Sequence, residues 1–156
     1  MMEGFNIREA SMEDAEQIFR ISNDPEVLKQ SINQEEIKWE NHLRWYKSKL
    51  EDPNYSIVIA YKKDLILGQV KLAAEGKNII GISMAKASRG KGIGVLFLKE
   101  ASLWMLNHYA HINFITAQIK QANIISIKSF EKAGYVYCRD VDINGDIYQE
   151  YELKKP

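Results

Sequence analysis

The sequence predicts a single domain over residues 1–156, of the mixed α/β class, with a largely antiparallel central sheet flanked by helices. Three observations support this fold class. The chain has 156 residues, of which 46% are hydrophobic, so it can bury one sizeable core. Segments of alternating apolar and polar residues lie between segments with a helical apolar period. Short loops join three consecutive strands, whereas helices separate the later strands.

The N-terminal third predicts a strand followed by helices. Residues 5–9 alternate apolar and polar side chains, as a half-buried strand does. Ser11, with Asp14 three residues later, is typical of a cap that opens a helix. After a short helical piece, Asn33 is expected to cap a longer helix that ends near Glu51.

That longer helix is expected to bury one face. The residues of this face, at spacings of four, three and four, are Trp39, Leu43, Tyr46 and Leu50. Such spacing marks the side of a helix that packs on a core. His42 and Trp45 are expected along the edge of the same face.

The middle of the chain predicts an antiparallel meander and then a helix. Residues 55–61, 66–72 and 78–84 have the composition of strands and are joined by short polar turns. A glycine-rich stretch follows at 90–94, and residues 93–109 return to a helical period. The meander therefore leads directly into a glycine loop and a helix.

The C-terminal third predicts strand, helix and hairpin. Residues 114–119 form a strand and residues 123–132 a short helix that ends before a glycine. Strands at 135–141 and 147–153 are joined by an Asn-Gly pair, which is typical of a tight hairpin turn. Together these elements complete the mixed sheet.

Composition excludes several classes of partner. Lysine plus arginine equal aspartate plus glutamate at 21 each, so we expect no nucleic acid or membrane partner. The apolar stretches fall short of the ~20 residues that cross a bilayer. With a single cysteine, Cys138, and no signal-like segment, the sequence predicts a cytoplasmic protein. Either a monomer or a homodimer agrees with it.

One loop carries the clearest chemical signal. It lies between a predicted strand and a predicted helix and consists of Arg89, Gly90, Lys91, Gly92, Ile93 and Gly94. The first N–H groups of a helix bind anions, and glycines let a phosphate approach the backbone. A Walker A loop is excluded because Val95 follows the last glycine, and a dinucleotide fingerprint would need the first strand of a βαβ unit.

The loop resembles the acetyl-CoA loop of the GNAT superfamily of N-acetyltransferases. Arg89, Gly92 and Gly94 match its motif. The segments 123–126 and 130–135 resemble the second cofactor segment of that superfamily, in which an Asn and a small residue precede a Lys-x-Gly-aromatic ending. The resemblance implies a GNAT fold, acetyl-CoA as co-substrate and no metal.

The resemblance also assigns cofactor contacts. It implies that the backbone of Ser83 and Met84 pairs with the pantetheine arm and that the glycine loop holds the pyrophosphate. Asn123 is expected to bond to the pantetheine, to cap the helix that it begins, or to do both. The residues expected along the thioester are Ser126, Ser129 and Phe130.

Catalysis needs a polarised carbonyl, a deprotonated amine and a proton for the leaving thiolate. The resemblance implies that the backbone N–H of Met84 polarises the carbonyl. The tyrosine that usually donates a proton to the thiolate is replaced by Phe130. The alternatives are stabilisation of the thiolate by Ser126 or Ser129, a proton from another tyrosine such as Tyr135 or Tyr148, and release of the thiolate into water. The candidate general bases are Glu35, Glu36, Glu40, His42 and Glu131. The alternative is that these residues are solvated or belong to the core.

The segment 41–55 resembles the acceptor-side helix of the PseH-like branch, whose members acetylate the 4-amino group of a nucleotide-linked amino sugar. This resemblance implies substrate contacts from His42, Trp45 and Tyr46. Core packing is the alternative, favoured for Tyr46, while Trp45 lies off the regular stripe. Other functions left open are acetylation of a peptide N-terminus, non-catalytic acyl-CoA binding, and protein interaction.

Overall fold

A computed structural model describes residues 4–156 and contains seven strands and five α-helices in that range. The strands are β1 (Asn6–Glu9), β2 (Tyr55–Lys62), β3 (Leu65–Ala73), β4 (Ile79–Met84), β5 (Phe114–Lys120), β6 (Val136–Ile143) and β7 (Asp146–Lys154). The helices are α1 (Ala15–Ser22), α2 (Pro25–Gln30), α3 (Trp39–Glu51), α4 (Ile93–His108) and α5 (Ile124–Lys132). No helix within residues 4–156 is long and apolar enough to span a bilayer.

All seven strands form one sheet in the order β1-β2-β3-β4-β5-β7-β6. Every neighbouring pair is antiparallel except β4 and β5, which are parallel. The predicted mixed, largely antiparallel sheet is confirmed, and so is the meander from β2 to β4. Helices cover both faces of the sheet, as predicted.

The parallel pair separates soon after it begins. Only Ile79 with Thr116 and Ile80 with Ala117 are paired between β4 and β5. The rest of β4 pairs with β3 alone, and the rest of β5 pairs with β7 alone. The two strands therefore leave a gap at their carboxyl ends, where α4 and α5 also begin.

Two apolar cores hold the helices on the sheet. On one face, which we call the α1 face, the core consists of Ala15, Ile18, Ile21, Tyr46, Ile57, Ile59 and Ile66. On the other, the α4 face, a larger core joins α4 and α5 to the strands, and it includes Phe97, Leu98, Met105, Ile115 and Phe130. Burial of large side chains on both faces contributes about 1.5–3 kcal/mol each.

The predicted start of α3 was wrong. The helix begins at Trp39 rather than near Asn33, and the preceding segment is irregular. The Asn23 amide holds this segment because it accepts from the Ile37 N–H and donates to the Ile37 carbonyl oxygen, both at 2.7 Å. Asn33 instead accepts from the Glu35 N–H in a local turn at 3.1 Å. A contact between distant segments thus replaces the expected cap.

The predicted buried face of α3 was also partly wrong. Trp39 is 39% exposed, whereas His42 is 2% exposed and Tyr46 is fully buried. The side of α3 that faces the core is therefore centred on His42 and Tyr46, which are one turn apart. Trp45 is half-buried beside them.

Candidate active site

Alternate backbone groups of β4 face the gap between β4 and β5. The Ala85 N–H donates to the Leu67 carbonyl oxygen at 2.8 Å, which fixes the residues of β4 that bond to β3. In an antiparallel pair, hydrogen-bonded residues alternate with residues whose N–H and C=O point away. Ser83 therefore bonds to β3, and the prediction that its backbone meets a cofactor is corrected. The groups that face the gap belong to Ile82 and Met84.

The glycine loop leaves its backbone accessible on one side. Gly90 and Gly92 have left-handed φ angles of 75° and 76°, which favour glycine. A Cβ at either position would meet nothing within 4 Å, so the backbone is open to a ligand. Because α4 begins at Ile93, its first N–H groups have no partner within the helix. The loop and α4 thus present N–H groups beside the gap.

Gly94 differs from the two preceding glycines. It lies in the first turn of α4, and a Cβ there would be 3.7 Å from Cγ of Met84, an ordinary contact. The Met84 side chain also lies against Gly68 of β3, where a Cβ would be 2.5 Å from Sδ. Met84 therefore packs the start of α4 onto β3 and β4. This packing sets the position of the loop relative to the gap.

The side chain of Arg89, the first residue of the glycine loop, is bound by other groups of the protein. Its Nε and Nη2 donate to the Met84 carbonyl oxygen at 3.2 and 3.1 Å. The same Nη2 lies 3.4 Å from Oδ2 of Asp24, at the start of α2. Arg89 therefore ties the end of β4 to the helices of the α1 face. Lys91, in contrast, is exposed at the loop.

The start of α5 lies on the other side of the gap. Oδ1 of Asn123 accepts from the Ser126 N–H at 3.2 Å, so the alternative of a helix cap is confirmed for Asn123. The Ser129 hydroxyl donates to the Ile125 carbonyl oxygen at 3.0 Å, within its own helix. Ser126 is half-buried. Contacts of Asn123, Ser126 and Ser129 with a cofactor remain predictions.

Two neighbouring residues of α5, Phe130 and Glu131, were predicted as a thioester contact and as a candidate base, respectively. Phe130 is only 3% exposed and packs edge-on against Tyr135, with ring centroids 4.9 Å apart. Its placement along the thioester is therefore corrected to a place in the core of the α4 face. Glu131 is exposed near the end of α5, with Oε2 3.5 Å from the Tyr151 hydroxyl.

The two tyrosines proposed as alternative donors have different surroundings. The Tyr135 hydroxyl is 2.8 Å from Oγ of Ser102 inside the core, and burial raises the pKa of Tyr135. Tyr148 lies opposite Lys120, the last residue of β5, on the α1 face. Burial also raises the pKa of Tyr148, which keeps its proton at neutral pH. Both tyrosines are only 3% exposed, but Tyr148 lies beside the carboxyl end of β5.

His42 and Tyr46 are core residues of the α1 face. The Tyr46 hydroxyl donates to the Ser11 carbonyl oxygen at 2.6 Å, and the ring is fully buried, so a substrate contact by Tyr46 is corrected. His42 Nε2 lies 3.0 Å from the Ala15 carbonyl oxygen. Burial lowers the pKa of His42, and the charge of Lys71 lowers it further. The ring is therefore neutral at pH 7 but a weakened base.

A pocket of about 270 Å³ opens on the α1 face. Its walls are formed by Ser22, Ile37, Asn41, His42, Trp45 and Lys71. Trp45, a predicted substrate contact, is thus in a wall of an open pocket. Sequence reasoning missed Lys71 and Ile82. The sequence contains a signal for both. Lys71 interrupts the apolar pattern of β3, and Ile82 is two positions before Met84, so their backbone groups face the same side of β4.

The sequence and the fold are similar to known acetyltransferases. A family model described as an acetyltransferase (GNAT) domain matches residues 5–136. No curated protein sequence matches the chain. Spermidine N-acetyltransferase from Vibrio cholerae, in complex with CoA and spermine, superposes with a TM-score of 0.86 at 14% identity, over 98% of this chain and 96% of that chain.

Two further solved structures have the same fold. Ribosomal-protein-alanine N-acetyltransferase from Brucella melitensis has a TM-score of 0.80 at 18% identity, over 96% of this chain and 99% of that chain. An aminoglycoside acetyltransferase solved with coenzyme A has a TM-score of 0.78 at 15% identity, over 97% and 95%. These identities are low, so the similarities concern the fold and leave the acceptor open.

Proposed function

The chain belongs to the GNAT acetyltransferase family, which makes it an acetyl-CoA-dependent N-acetyltransferase, and we propose that it acetylates a small-molecule amine, the 4-amino group of a UDP-linked amino-deoxy sugar used in bacterial surface glycans. The observation that carries this proposal is the gap beside Ile82 and Met84, next to an open pocket on the α1 face. The donor enters the gap, and the acceptor enters the pocket.

The residues around the gap fit acetyl-CoA. Its pyrophosphate meets the open backbone of Gly90 and Gly92 and the first N–H groups of α4, a favourable site for negative charge. Its pantetheine amides pair with the backbone of Ile82, as an added strand would. Lys91 supplies a positive charge at the rim. When bound, acetyl-CoA supplies an acetyl group on a thioester.

Met84 and Tyr148 take separate roles in the transfer. The amine nitrogen forms a bond to the acetyl carbon, and the carbon–sulfur bond then breaks. The Met84 N–H stabilises the negative charge on the carbonyl oxygen, as an oxyanion hole does. Tyr148 gives its proton to the departing thiolate, and the proton that the amine loses goes to water. Neither His42 nor Glu131 is needed in this scheme.

The acceptor side supports an amino sugar. Trp45 forms a wall of the pocket, and base or sugar stacking on an aromatic ring contributes about 1–3 kcal/mol. The residues that form the pocket include no carboxylate to attract a polyamine. The free thiol of Cys138 is exposed, which supports a reducing compartment, and we place the reaction in the cytoplasm.

The proposal is tested by measuring thiol release from acetyl-CoA with a panel of acceptors. The panel contains a UDP-linked 4-amino sugar, a ribosomal peptide N-terminus, spermidine and an aminoglycoside. We expect the highest kcat/KM for the sugar and a loss of that preference in Trp45→Ala. Faster transfer to the peptide would show that a peptide N-terminus, and not the sugar, is the acceptor. Coenzyme A binding without turnover of any acceptor would indicate an acyl-CoA sensor.

A further inference from the structure

Lys71 lies in an unusual place for a lysine. It belongs to β3, a central strand of the sheet, and forms part of the pocket on the α1 face. Its Nζ lies 5.2 Å from the centroid of the Trp45 ring. None of the ion pairs among residues 4–156 includes Lys71. A half-buried cation without a carboxylate is costly, and burial lowers the pKa of Lys71, so an anionic partner would stabilise the ammonium form.

A second polar group beside the pocket is also unsatisfied. Gln69 precedes Lys71 by two residues, so both side chains lie on the α1 face of β3. Gln69 is fully buried, and its Nε2 donates to Oγ of Ser22, a residue of the pocket wall, at 3.0 Å. Within residues 4–156 its Oε1 has no hydrogen-bond partner. Buried polar atoms of this kind are normally satisfied, and an amide oxygen only accepts, so this part of the site lacks a hydrogen-bond donor from a ligand or water.

The pocket and the gap are adjacent. Lys71 pairs with Gly81 of β4, and neighbouring strands lie about 4.8 Å apart. A Cβ at Gly81 would meet nothing within 4 Å, so the space beside Lys71 is open at that point. Ile82, the next residue, faces the gap. One molecule can therefore place one end on Lys71 and its amine at the thioester.

We propose that Lys71 binds an anionic oxygen group of the acceptor, a phosphate or a carboxylate, and thereby selects anionic amines over polycationic ones. The inference rests on the acetyl transfer proposed above, because it assigns one end of the same acceptor. Polyamines and aminoglycosides would bring a second cation to Lys71, and like charges repel. His42 adds no charge, since its ring is neutral.

The pocket size agrees with this assignment. At about 270 Å³ it is slightly smaller than the usual small-molecule site, which is about 300–1,000 Å³. It holds one group of an acceptor rather than a whole nucleotide sugar. The remainder of the acceptor extends outward past Asn41, which is exposed.

The test compares matched acceptors that differ in one anionic group. One arm uses the 1-phosphate of the 4-amino sugar and the methyl glycoside of the same sugar. The other arm uses a glycyl dipeptide with a free carboxylate and the corresponding dipeptide amide. Each is measured with the wild type, Lys71→Met and Lys49→Met. Lys49 is a matched control because its Nζ also lies over an aromatic ring, that of Tyr55 at 4.7 Å, and Lys49 is not among the residues that form the pocket.

We expect the wild type to prefer the anionic member of one arm, which identifies the anion as phosphate or carboxylate. In that arm, Lys71→Met raises KM at least about tenfold, equivalent to ~1.4 kcal/mol, with little change in kcat. The neutral member is unaffected, and Lys49→Met behaves as the wild type. Equal rates for both members in both arms, or an unchanged KM in Lys71→Met, would overturn the proposal.

A binding measurement separates this inference from the function on which it rests. The acetylated product of each anionic amine is titrated into the protein by calorimetry, and coenzyme A binding is measured in parallel. Weaker product binding in Lys71→Met, with unchanged coenzyme A binding, supports the anion site even where turnover is absent. Equal product binding by wild type and Lys71→Met refutes the anion site and leaves the acetyltransferase activity standing.

Discussion

The guanidinium of Arg89 donates two hydrogen bonds to the backbone carbonyl oxygen of Met84, at 3.2 Å from Nε and 3.1 Å from Nη2. This carbonyl belongs to the residue whose N–H faces the gap. The same guanidinium pairs with Asp24. Arg89 thus holds the carboxyl end of β4 against the start of α2, and its charge is already engaged by partners within the protein.

Arg89→Lys is therefore predicted to be as damaging as Arg89→Gln. A lysine keeps the charge but lacks the planar fork that reaches both the Met84 carbonyl and Asp24. We expect kcat/KM for acetyl-CoA to fall roughly tenfold, about 1.4 kcal/mol, in both variants by steady-state kinetics. Near wild-type activity in Arg89→Lys alone would show that Arg89 acts as a charge on the pyrophosphate.

Gly92→Ala is predicted to weaken coenzyme A binding beyond its effect on stability. The left-handed φ of Gly92 costs a residue with a Cβ about 1–2 kcal/mol, and the new methyl group enters the space of the pyrophosphate. Calorimetry should show a Kd raised at least about tenfold. Gly145→Ala is the matched control, because Gly145 has a φ of 89° and open space in the β6–β7 turn. Equal Kd values in the two variants would show that the loop is not part of the cofactor site.

Tyr148→Phe is predicted to lower kcat without changing either KM. The hydroxyl of Tyr148 enters none of the side-chain hydrogen bonds found within residues 4–156, so its removal costs little stability. Loss of a general acid costs about 10²–10⁴-fold in rate, and a thiolate is a good leaving group, so we expect the lower limit. Tyr135→Phe should instead reduce stability by about 1 kcal/mol, through its bond to Ser102, and leave kcat unchanged. An unchanged kcat in Tyr148→Phe would mean that the thiolate leaves unassisted.

Glu150 is predicted to make the fold sensitive to acid. It is 1% exposed and accepts hydrogen bonds from Lys77, Gln118 and Arg139. Burial alone raises the pKa of Glu150, but these bonds outweigh burial and lower it to about 2. A lowered pKa means that the stabilisation is complete above the ordinary pKa of 4.5 and is lost as pH falls toward 2.

Thermal unfolding between pH 7 and pH 2 tests this expectation. Glu150→Gln should be less stable than the wild type at pH 7 by roughly 1–3 kcal/mol, and the difference should shrink below pH 4.5. Glu152→Gln, on the same face of β7, is the control and should follow the wild type. A constant difference over the whole pH range would contradict the assigned role of the Glu150 carboxylate.

Local sequence signals predicted most of the fold. The glycine loop, the start of α4 at Ile93 and the turn at Asn144-Gly145 are each fixed by residues within a few positions, and all three lie where expected. Ser11 and Asp14 also begin the first helical segment, because the Asp14 carboxylate accepts from the Ser11 N–H at 2.8 Å. Such signals are readable because they depend on backbone conformation rather than on distant contacts.

The remaining features depend on contacts between distant segments. The delayed start of α3 follows from the bonds between Asn23 and Ile37, fourteen positions apart. The direction of the Arg89 side chain depends on the position of Asp24, and the burial of His42 on the backbone of Ala15. Neither the length of the β4–β5 pairing nor the combination of helices and strands that forms the pocket can be read from a local pattern, although Lys71 itself interrupts the apolar pattern of β3. The sequence therefore indicates the donor loop more directly than the acceptor side.

Amide hydrogen exchange, followed residue by residue by NMR with and without acetyl-CoA, tests the central claim most directly. The account predicts that acetyl-CoA slows exchange at Ile82, at Met84 and in residues 90–96, because these N–H groups gain partners. Ser83 should change little, since its N–H already bonds to β3. Binding of acetyl-CoA without protection of Ile82 and Met84 would contradict the assignment of the β4–β5 gap as the site of acetyl transfer.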